Sequence, residues 1–217
     1  MSQSRNIKLT VAILLGVILL LVAGFVYRVA GDRTPSPGEL QADGFYLLDT
    51  PRSFGELDLV DHRGQPFTRE RLQGRWSLLF FGFTYCPDIC PTTMALLDRF
   101  VASLEESEVE DTRVFMVTVD PARDTVAQLA TYVPYFNESF TGVTGEFLDI
   151  HRFATALNIP FRKEAGAGDD YLVDHGANIV LINPRGDYHG FFRAPLDRAA
   201  MLRAYRGVRA RWEQAGH

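Results

Sequence analysis

The chain has 217 residues, 47% hydrophobic and 23% charged, with a formal net charge of −5. That apolar content supports a folded domain with a sizeable core. No basic run of the kind that tracks phosphates occurs, so nucleic acid is excluded as the expected partner. There is no internal repeat and no low-complexity tract.

Between Lys8 and Arg28 lie 19 uncharged residues, Leu9 to Tyr27, nearly all apolar. At about 1.5 Å per residue, a helix of that length approaches the roughly 30 Å hydrocarbon thickness of a bilayer. A cleaved signal peptide has an apolar stretch of only about 7–15 residues and a small-x-small exit. Here the exit is Arg28-Val29-Ala30. Residues 1–30 are therefore expected to be a retained single-span membrane anchor. Arg5, Lys8 and the amino terminus against Arg28 and Arg33 give a slight bias toward a cytoplasmic N-terminus. Met1 to Thr10 is too short and too weakly basic for a mitochondrial presequence. The expected location is a bacterial inner membrane, with the soluble domain in the periplasm. Residues 31–44 are expected to be a tether, being rich in Pro, Gly and small polar residues from Thr34 to Asp43. Residues 45–217 then form one domain.

Within the domain, Glu56–Val60 and Gln65–Thr68 around His62-Arg63-Gly64 predict a hairpin. Leu78–Phe83 predicts a buried central strand, and Thr92–Glu106 an amphipathic helix with Met94, Leu97, Val101 and Leu104 on one face. Arg113–Val119 is the next strand. Asp124 can cap a helix running to about Tyr132, before Pro134 disrupts it. Phe140–Thr144 predicts a short strand and Glu146–Asn158 a helix. Ala177–Ile182 and Tyr188–Arg193 flank the turn Asn183-Pro184-Arg185-Gly186 as a second hairpin. Pro195 opens a last helix to about Trp212. Alternation followed by a terminal hairpin implies an α/β fold: a thioredoxin-like mixed sheet with helices on both faces and an extra N-terminal hairpin.

The two cysteines lie in Phe81-Gly82-Phe83-Thr84-Tyr85-Cys86-Pro87-Asp88-Ile89-Cys90-Pro91, at a strand-to-helix junction. Pro87 and Pro91 push Cys86 and Cys90 toward extended angles, so the step between them is a loop, with helix beginning at or after Pro91. Cys90 then lies just before a helix N-terminus, where free N–H groups and the dipole favour a thiolate. One ion with bonds of about 2.3 Å bridges sulfurs up to roughly 4.6 Å apart. A disulfide needs about 2.05 Å. The Cys-x-x-x-Cys loop meets either demand, so spacing leaves metal binding, thiol redox chemistry and a structural disulfide all open. Two thiolates suit Cu(I), whereas Cu(II) calls for a nitrogen ligand as well. Of the five histidines, His62 in a hairpin turn, His151 on a polar helix face and His217 at the terminus are expected to be solvated. His189 alternates within a strand and stays open. His175, after Tyr171-Leu172-Val173-Asp174, leads through Gly176 into a central strand, where it can face the helix carrying the cysteines.

Phe81–Pro91 with Thr92-Thr93, Val119-Asp120-Pro121-Ala122-Arg123-Asp124 and Asp170–His175 together resemble the Sco/SenC family. The likeness spans the soluble domain, and its first motif is long and highly specific. The resemblance implies a thioredoxin-like copper-binding domain with Cys86, Cys90 and His175 as ligands to Cu(I)/Cu(II). It also implies a membrane-anchored chaperone that delivers copper to the dinuclear copper site of cytochrome c oxidase. Its partners would be the copper-site subunit of that oxidase and a periplasmic copper donor or thioredoxin-like reductant. The alternative under the same likeness is a periplasmic thiol-disulfide reductase that keeps the oxidase's copper-ligand cysteines reduced, with Cys86 and Cys90 as its redox pair. A nitrogen ligand separates the two, since thiol exchange has no need of His175. A thiol peroxidase is disfavoured, because no arginine lies between Phe81 and Asp98.

Other residues carry weaker signals. Asp120–Asp124 reads as a strand end with a helix cap, or as a loop in which Asp120 or Arg123 shapes the site or a docking face. Asp88 adds a negative charge between the cysteines. Gly176 stands where the family pattern suggests a small hydroxyl residue. Arg198, Arg203, Arg206, Arg209 and Arg211 on the last helix are expected to form a solvated face, with contact to anionic headgroups as the alternative.

Overall fold

The computed structural model describes residues 2–31, 34–164 and 171–216. In chain order these form α1 (Ser2–Gly31), α2 (Pro37–Ala42), β1 (Phe45–Arg52), β2 (Leu59–Asp61), β3 (Pro66–Phe67), β4 (Trp76–Gly82), α3 (Ile89–Val101) and α4 (Glu106–Glu110). They continue as β5 (Thr112–Thr118), α5 (Val126–Phe136), β6 (Thr141–Gly145), α6 (Phe147–Ala156) and β7 (Phe161–Lys163). The last elements are β8 (Val173–His175), β9 (Ile179–Ile182), β10 (Tyr188–Phe192) and α7 (Arg198–Gln214). Among the described residues an eight-stranded sheet runs β1-β10-β9-β4-β5-β6-β2-β3, and β7 pairs with β8 as a separate ribbon. β4, β5 and β6 are parallel neighbours, and the remaining pairs are antiparallel. This is the thioredoxin-like α/β fold, a mixed sheet flanked by helices.

The central strand explains the core. Every residue of β4 is buried, as a strand covered by helices on both faces must be, and its run of Leu78, Leu79, Phe80 and Phe81 supplies both layers. α3 turns Cys90, Met94, Leu97 and Phe100 toward the sheet. α7 buries Met201, Ala204, Tyr205, Val208 and Trp212.

Several expectations are corrected. Helix α5 runs on to Phe136 with Pro134 inside it; the helix ends two residues later, so the missing N–H costs a bond only in the final turn. Its N-cap is Thr125, whose side chain accepts from the Gln128 N–H, and not Asp124. α7 opens at Arg198 with Asp197 as its cap, three residues after Pro195. β1 was not expected, because Asp49, Thr50 and Pro51 obscure its pattern; as an edge strand it tolerates a proline with no N–H to donate. His62 is buried rather than solvated, and its Nδ1 accepts from the Gly142 N–H at 2.9 Å. His189 is buried between Trp76 and Trp212, so it packs the core. His151 is exposed as expected, and His217 lies outside the described residues.

The stretch expected as a loose tether begins to pack at Thr34. Ser36 and Glu39 close a capping box at the start of α2, Pro37 occupies its first position, and Leu40 is buried. The arginines of α7 hold the domain together: Arg203 pairs with Asp43, Arg206 with Glu108, and Arg209 with Asp111. Arg198 donates to Ser103, and Arg211 to the Pro35 carbonyl. Further toward the amino terminus, α1 is one continuous helix whose apolar side chains from Val11 to Phe25 are exposed. Within the described residues no helix is long and apolar enough to cross a membrane. Of the expected Leu9–Tyr27 span, the side chains of Leu9, Val26 and Tyr27 lie outside those described.

Candidate metal centre

The site is built at the C-terminal end of β4. Gly82 closes the strand, and the chain passes through Phe83, Thr84 and Tyr85 to Cys86. α3 starts at Ile89, two residues before Pro91, so Pro91 occupies the first turn, where its missing N–H is harmless. Cys90 is thus inside the first turn rather than before it. Cys86 is half-buried, Cys90 is buried, and both are free thiols.

This placement reverses the expected electrostatics of the pair. The Cys90 N–H points at Cys86 Sγ, 3.4 Å away, so the helix start serves the first cysteine. The Cys86 pKa is lowered to about 4, chiefly by a hydrogen bond from the Cys90 thiol. Burial opposes the shift, and the N–H groups of Asp88 and Cys90 add to it. The Cys90 thiol is pushed up, first as the donor in that bond and then by burial. The apo site therefore carries one thiolate and one thiol at neutral pH.

His175 arrives from the other side. β7 and β8 pair antiparallel with Phe161 opposite His175, and this short ribbon, absent from the expected elements, aims the ring. Its Nδ1 lies 3.1 Å from the Gly176 carbonyl. A carbonyl only accepts, so Nδ1 carries the hydrogen and Nε2 presents a lone pair. That Nε2 is 3.3 Å from Cys90 Sγ. The ring stands edge-on to Phe83 at 5.5 Å and to Phe80 at 6.1 Å. The donor atoms of Cys86, Cys90 and His175 all lie within 4.8 Å of one another. A three-coordinate ion with bonds of about 2.0–2.3 Å needs its ligand atoms roughly 3.5–4 Å apart. The three sequence-predicted ligands therefore meet in one place, with little movement required to close on an ion. Glycine at 176 is not required by space: a Cβ there would find its nearest heavy atom, the Asn178 N, 4.0 Å away.

The Asp120–Asp124 loop holds the two halves of this centre together. Asp124 is fully buried and accepts from the Thr84 N–H at 3.0 Å, the Thr84 hydroxyl at 2.7 Å and the Thr118 hydroxyl at 2.7 Å. It pins the loop leading to Cys86. Burial raises the Asp124 pKa, with these hydrogen bonds working in the opposite direction. Asp120 pairs with Arg123 and accepts from the Tyr171 hydroxyl at 2.6 Å. The Arg123 guanidinium lies 3.7 Å from the Tyr171 ring centre and 4.8 Å from that of Tyr85, and it donates to the Tyr171 carbonyl. Arg123 thus bridges the cysteine loop to the segment that delivers His175. The Asp88 side chain is exposed and lies 3.5 Å from the Thr92 hydroxyl. The roles of Thr84 and Tyr171 were missed from sequence, although each sits inside a quoted motif; the signal was a threonine and a tyrosine flanking ligands in otherwise apolar runs.

Comparison with known proteins agrees with this geometry. The sequence profile of the SCO1/SenC family matches residues 48–209. A putative copper-binding protein of Stutzerimonas stutzeri is 44% identical over 150 residues, covering 69% of this chain and 74% of the relative. Among solved structures, Arabidopsis thaliana ScoI with copper bound superposes with a TM-score of 0.67 at 31% identity. That match covers 72% of this chain and 98% of the other. Yeast Sco1 with copper bound gives a TM-score of 0.65 at 30% identity, covering 73% of this chain and 88% of the other. A profile match across most of the chain, on a fold that brings its motif cysteines and histidine to one point, places this protein in the SCO1/SenC family.

Proposed function

We propose that this protein is a membrane-anchored copper chaperone. Cys86, Cys90 and His175 bind one copper ion, and the cargo passes to the dinuclear copper site of cytochrome c oxidase. The observation that carries the reading is the convergence of two sulfurs with an imidazole Nε2 whose lone pair is freed by the Nδ1–Gly176 contact. Two soft sulfurs favour Cu(I), and the nitrogen extends retention to Cu(II). The lowered Cys86 pKa favours a thiolate before the metal arrives, so loading releases fewer protons than two ordinary thiols would. The buried rings of Phe80 and Phe83 pack edge-on against His175 and line the inner side of the site. The run Leu9–Tyr27 supports a retained anchor, and the slight positive bias before it supports a domain on the periplasmic side of a bacterial inner membrane. The family resemblance supports the oxidase subunit as recipient.

A second reading is favoured by one observation. A half-buried low-pKa thiolate beside a buried thiol is also how a thiol-disulfide reductase presents its pair. Cysteine variants cannot separate the two functions, because both need the thiols. His175→Ala can. For a chaperone, the variant strain loses oxidase activity at limiting copper and regains part of it when copper is added. For a reductase, the His175→Ala strain stays near wild type and an exogenous thiol rescues Cys86→Ser. Normal oxidase activity in His175→Ala at low copper, with stable protein present, would refute the chaperone reading.

A further inference from the structure

At the end of the sheet opposite the metal centre lies a polar pocket of about 450 Å³, lined by Glu70, Arg71, Gln73, Arg75, Arg113, Phe115, Ser139 and Thr141. We propose that Arg71, Arg75 and Arg113 form an oxyanion site that seats the phosphate of an anionic lipid headgroup. Its position follows from the strands. Arg75 immediately precedes β4, Arg113 is the second residue of β5, and Thr141 begins β6. These three strands run parallel, so their starts share one pole and Cys86 leaves from the other. The seven residues of β4 set the poles about 20 Å apart at about 3.3 Å per residue.

The charge in this pocket is poorly balanced. Arg113 Nη1 donates to the Arg71 carbonyl at 2.6 Å, and Arg71 reaches Asp61 at 3.3 Å. Among the described residues Glu70 is the one acid lining the pocket, and its carboxylate accepts from the Thr68 hydroxyl at 2.6 Å. Among the described residues no ion pair engages Arg75 or Arg113. Burial, and then the charges of Arg75 and Arg71, lower the Arg113 pKa, the mark of guanidinium groups crowded without a counterion. Thr141 adds a hydroxyl donor, whereas the Ser139 hydroxyl already donates to Asn137 Oδ1 at 2.7 Å. Forked guanidinium donors with a flanking hydroxyl match the oxygens of a phosphate.

The place where the chain enters the domain favours a lipid as the source. Thr34 contacts Gln214 at 3.4 Å, and Arg211 holds the Pro35 carbonyl at 3.0 Å. Trp212, two residues before Gln214, packs on Trp76, the first residue of β4. The segment following α1 therefore joins at the arginine pole. This inference rests on the proposed membrane anchor: if α1 is inserted, the arginine pole faces the headgroups and the metal centre faces away from them. The α7 arginines, by contrast, are already engaged within the domain.

The test uses the full chain in lipid nanodiscs of phosphatidylcholine with and without phosphatidylglycerol, read by amide hydrogen exchange. A parallel arm titrates the chain in nonionic detergent with inorganic phosphate at constant ionic strength. Phosphatidylglycerol should slow exchange over residues 112–115 and 139–142 by about fivefold, the effect of one basic residue at an anionic surface. Residues 84–92 at the metal centre should not change. Arg75→Glu, at an exposed position that leaves folding intact, should abolish the difference. Equal exchange in both lipids would overturn the proposal. Binding of inorganic phosphate with no lipid dependence would also overturn it, leaving a soluble anion as the ligand. Failure of the chain to enter discs would overturn the anchor and the lipid source together, and the phosphate arm would then still read the pocket itself.

Discussion

Gly82 is the residue on which the shape of the metal centre depends most sharply. A Cβ placed there would lie 2.7 Å from Phe80 Cε1 and 2.9 Å from Cys90 Sγ, with Phe80 Cζ at 3.1 Å. Comfortable contact is about 3.5–4.0 Å, so Gly82→Ala forces both neighbours back by more than half an ångström. Neither can swing into solvent, because Phe80 and Cys90 are both fully buried. Overpacking of this kind costs about 1–3 kcal/mol. With a urea slope of about 2 kcal/mol/M, the unfolding midpoint should fall by about 0.5–1.5 M. The displaced Cys90 sulfur also moves relative to His175 Nε2, now 3.3 Å away, and a loss of about 1.4 kcal/mol in binding is tenfold in Cu(I) affinity. Gly176→Ala is the matched control beside the histidine, with nothing nearer than 4.0 Å, and its stability should stay within about 0.5 kcal/mol of wild type. Urea titration and competition against a Cu(I) chelator read both quantities. A Gly82→Ala protein with the wild-type midpoint and affinity, or two alanine variants that behave alike, would refute the reasoning.

Two further outcomes follow from the electrostatics and the loop clamp. Because the folded Cys86 pKa lies near 4 and an ordinary thiol titrates near 9, the thiolate persists as pH falls and is lost only through the folded value. Alkylation of the reduced apo protein at Cys86 should therefore be nearly constant from about pH 6 to pH 8; a rate rising tenfold per unit across that window would contradict the assignment. Arg123→Lys keeps the charge but loses the fork that joins Asp120 to the Tyr171 carbonyl. It should weaken Cu(II) retention more than Cu(I), because it loosens the segment carrying the nitrogen ligand and leaves the sulfurs in place. Equal weakening of both oxidation states would remove Arg123 from that role.

The parts legible in the sequence share a physical character. β4, β5, α3 and α7 announce themselves through burial, as continuous apolar runs or helical periodicity, and the two cysteines announce themselves by scarcity. What stayed hidden depends on pairing across long separations. β7 and β8 are three residues each, too short for any period, yet they orient His175. Asp124 reads as a helix cap from its neighbours, whereas its partners Thr84 and Thr118 come from two different strand ends. His62 and the α7 arginines look like solvated polar residues because sequence carries no trace of the partners that tertiary structure supplies. The sequence points to Cys90 as the favoured thiolate for the same reason, whereas the hydrogen bonds of the structure favour Cys86. Where helix α3 begins decides which sulfur its N–H groups reach, and a shift of two residues at Pro91 is enough to change it.

The central claim is that two sulfurs and one imidazole nitrogen hold the copper. X-ray absorption at the copper edge on the Cu(I)-loaded protein tests it most directly. The account predicts one copper per chain, two sulfur scatterers and one nitrogen scatterer, with the nitrogen lost in His175→Ala and retained in His189→Ala. A sulfur-only shell in the wild-type protein, or a nitrogen signal that survives His175→Ala, would contradict it.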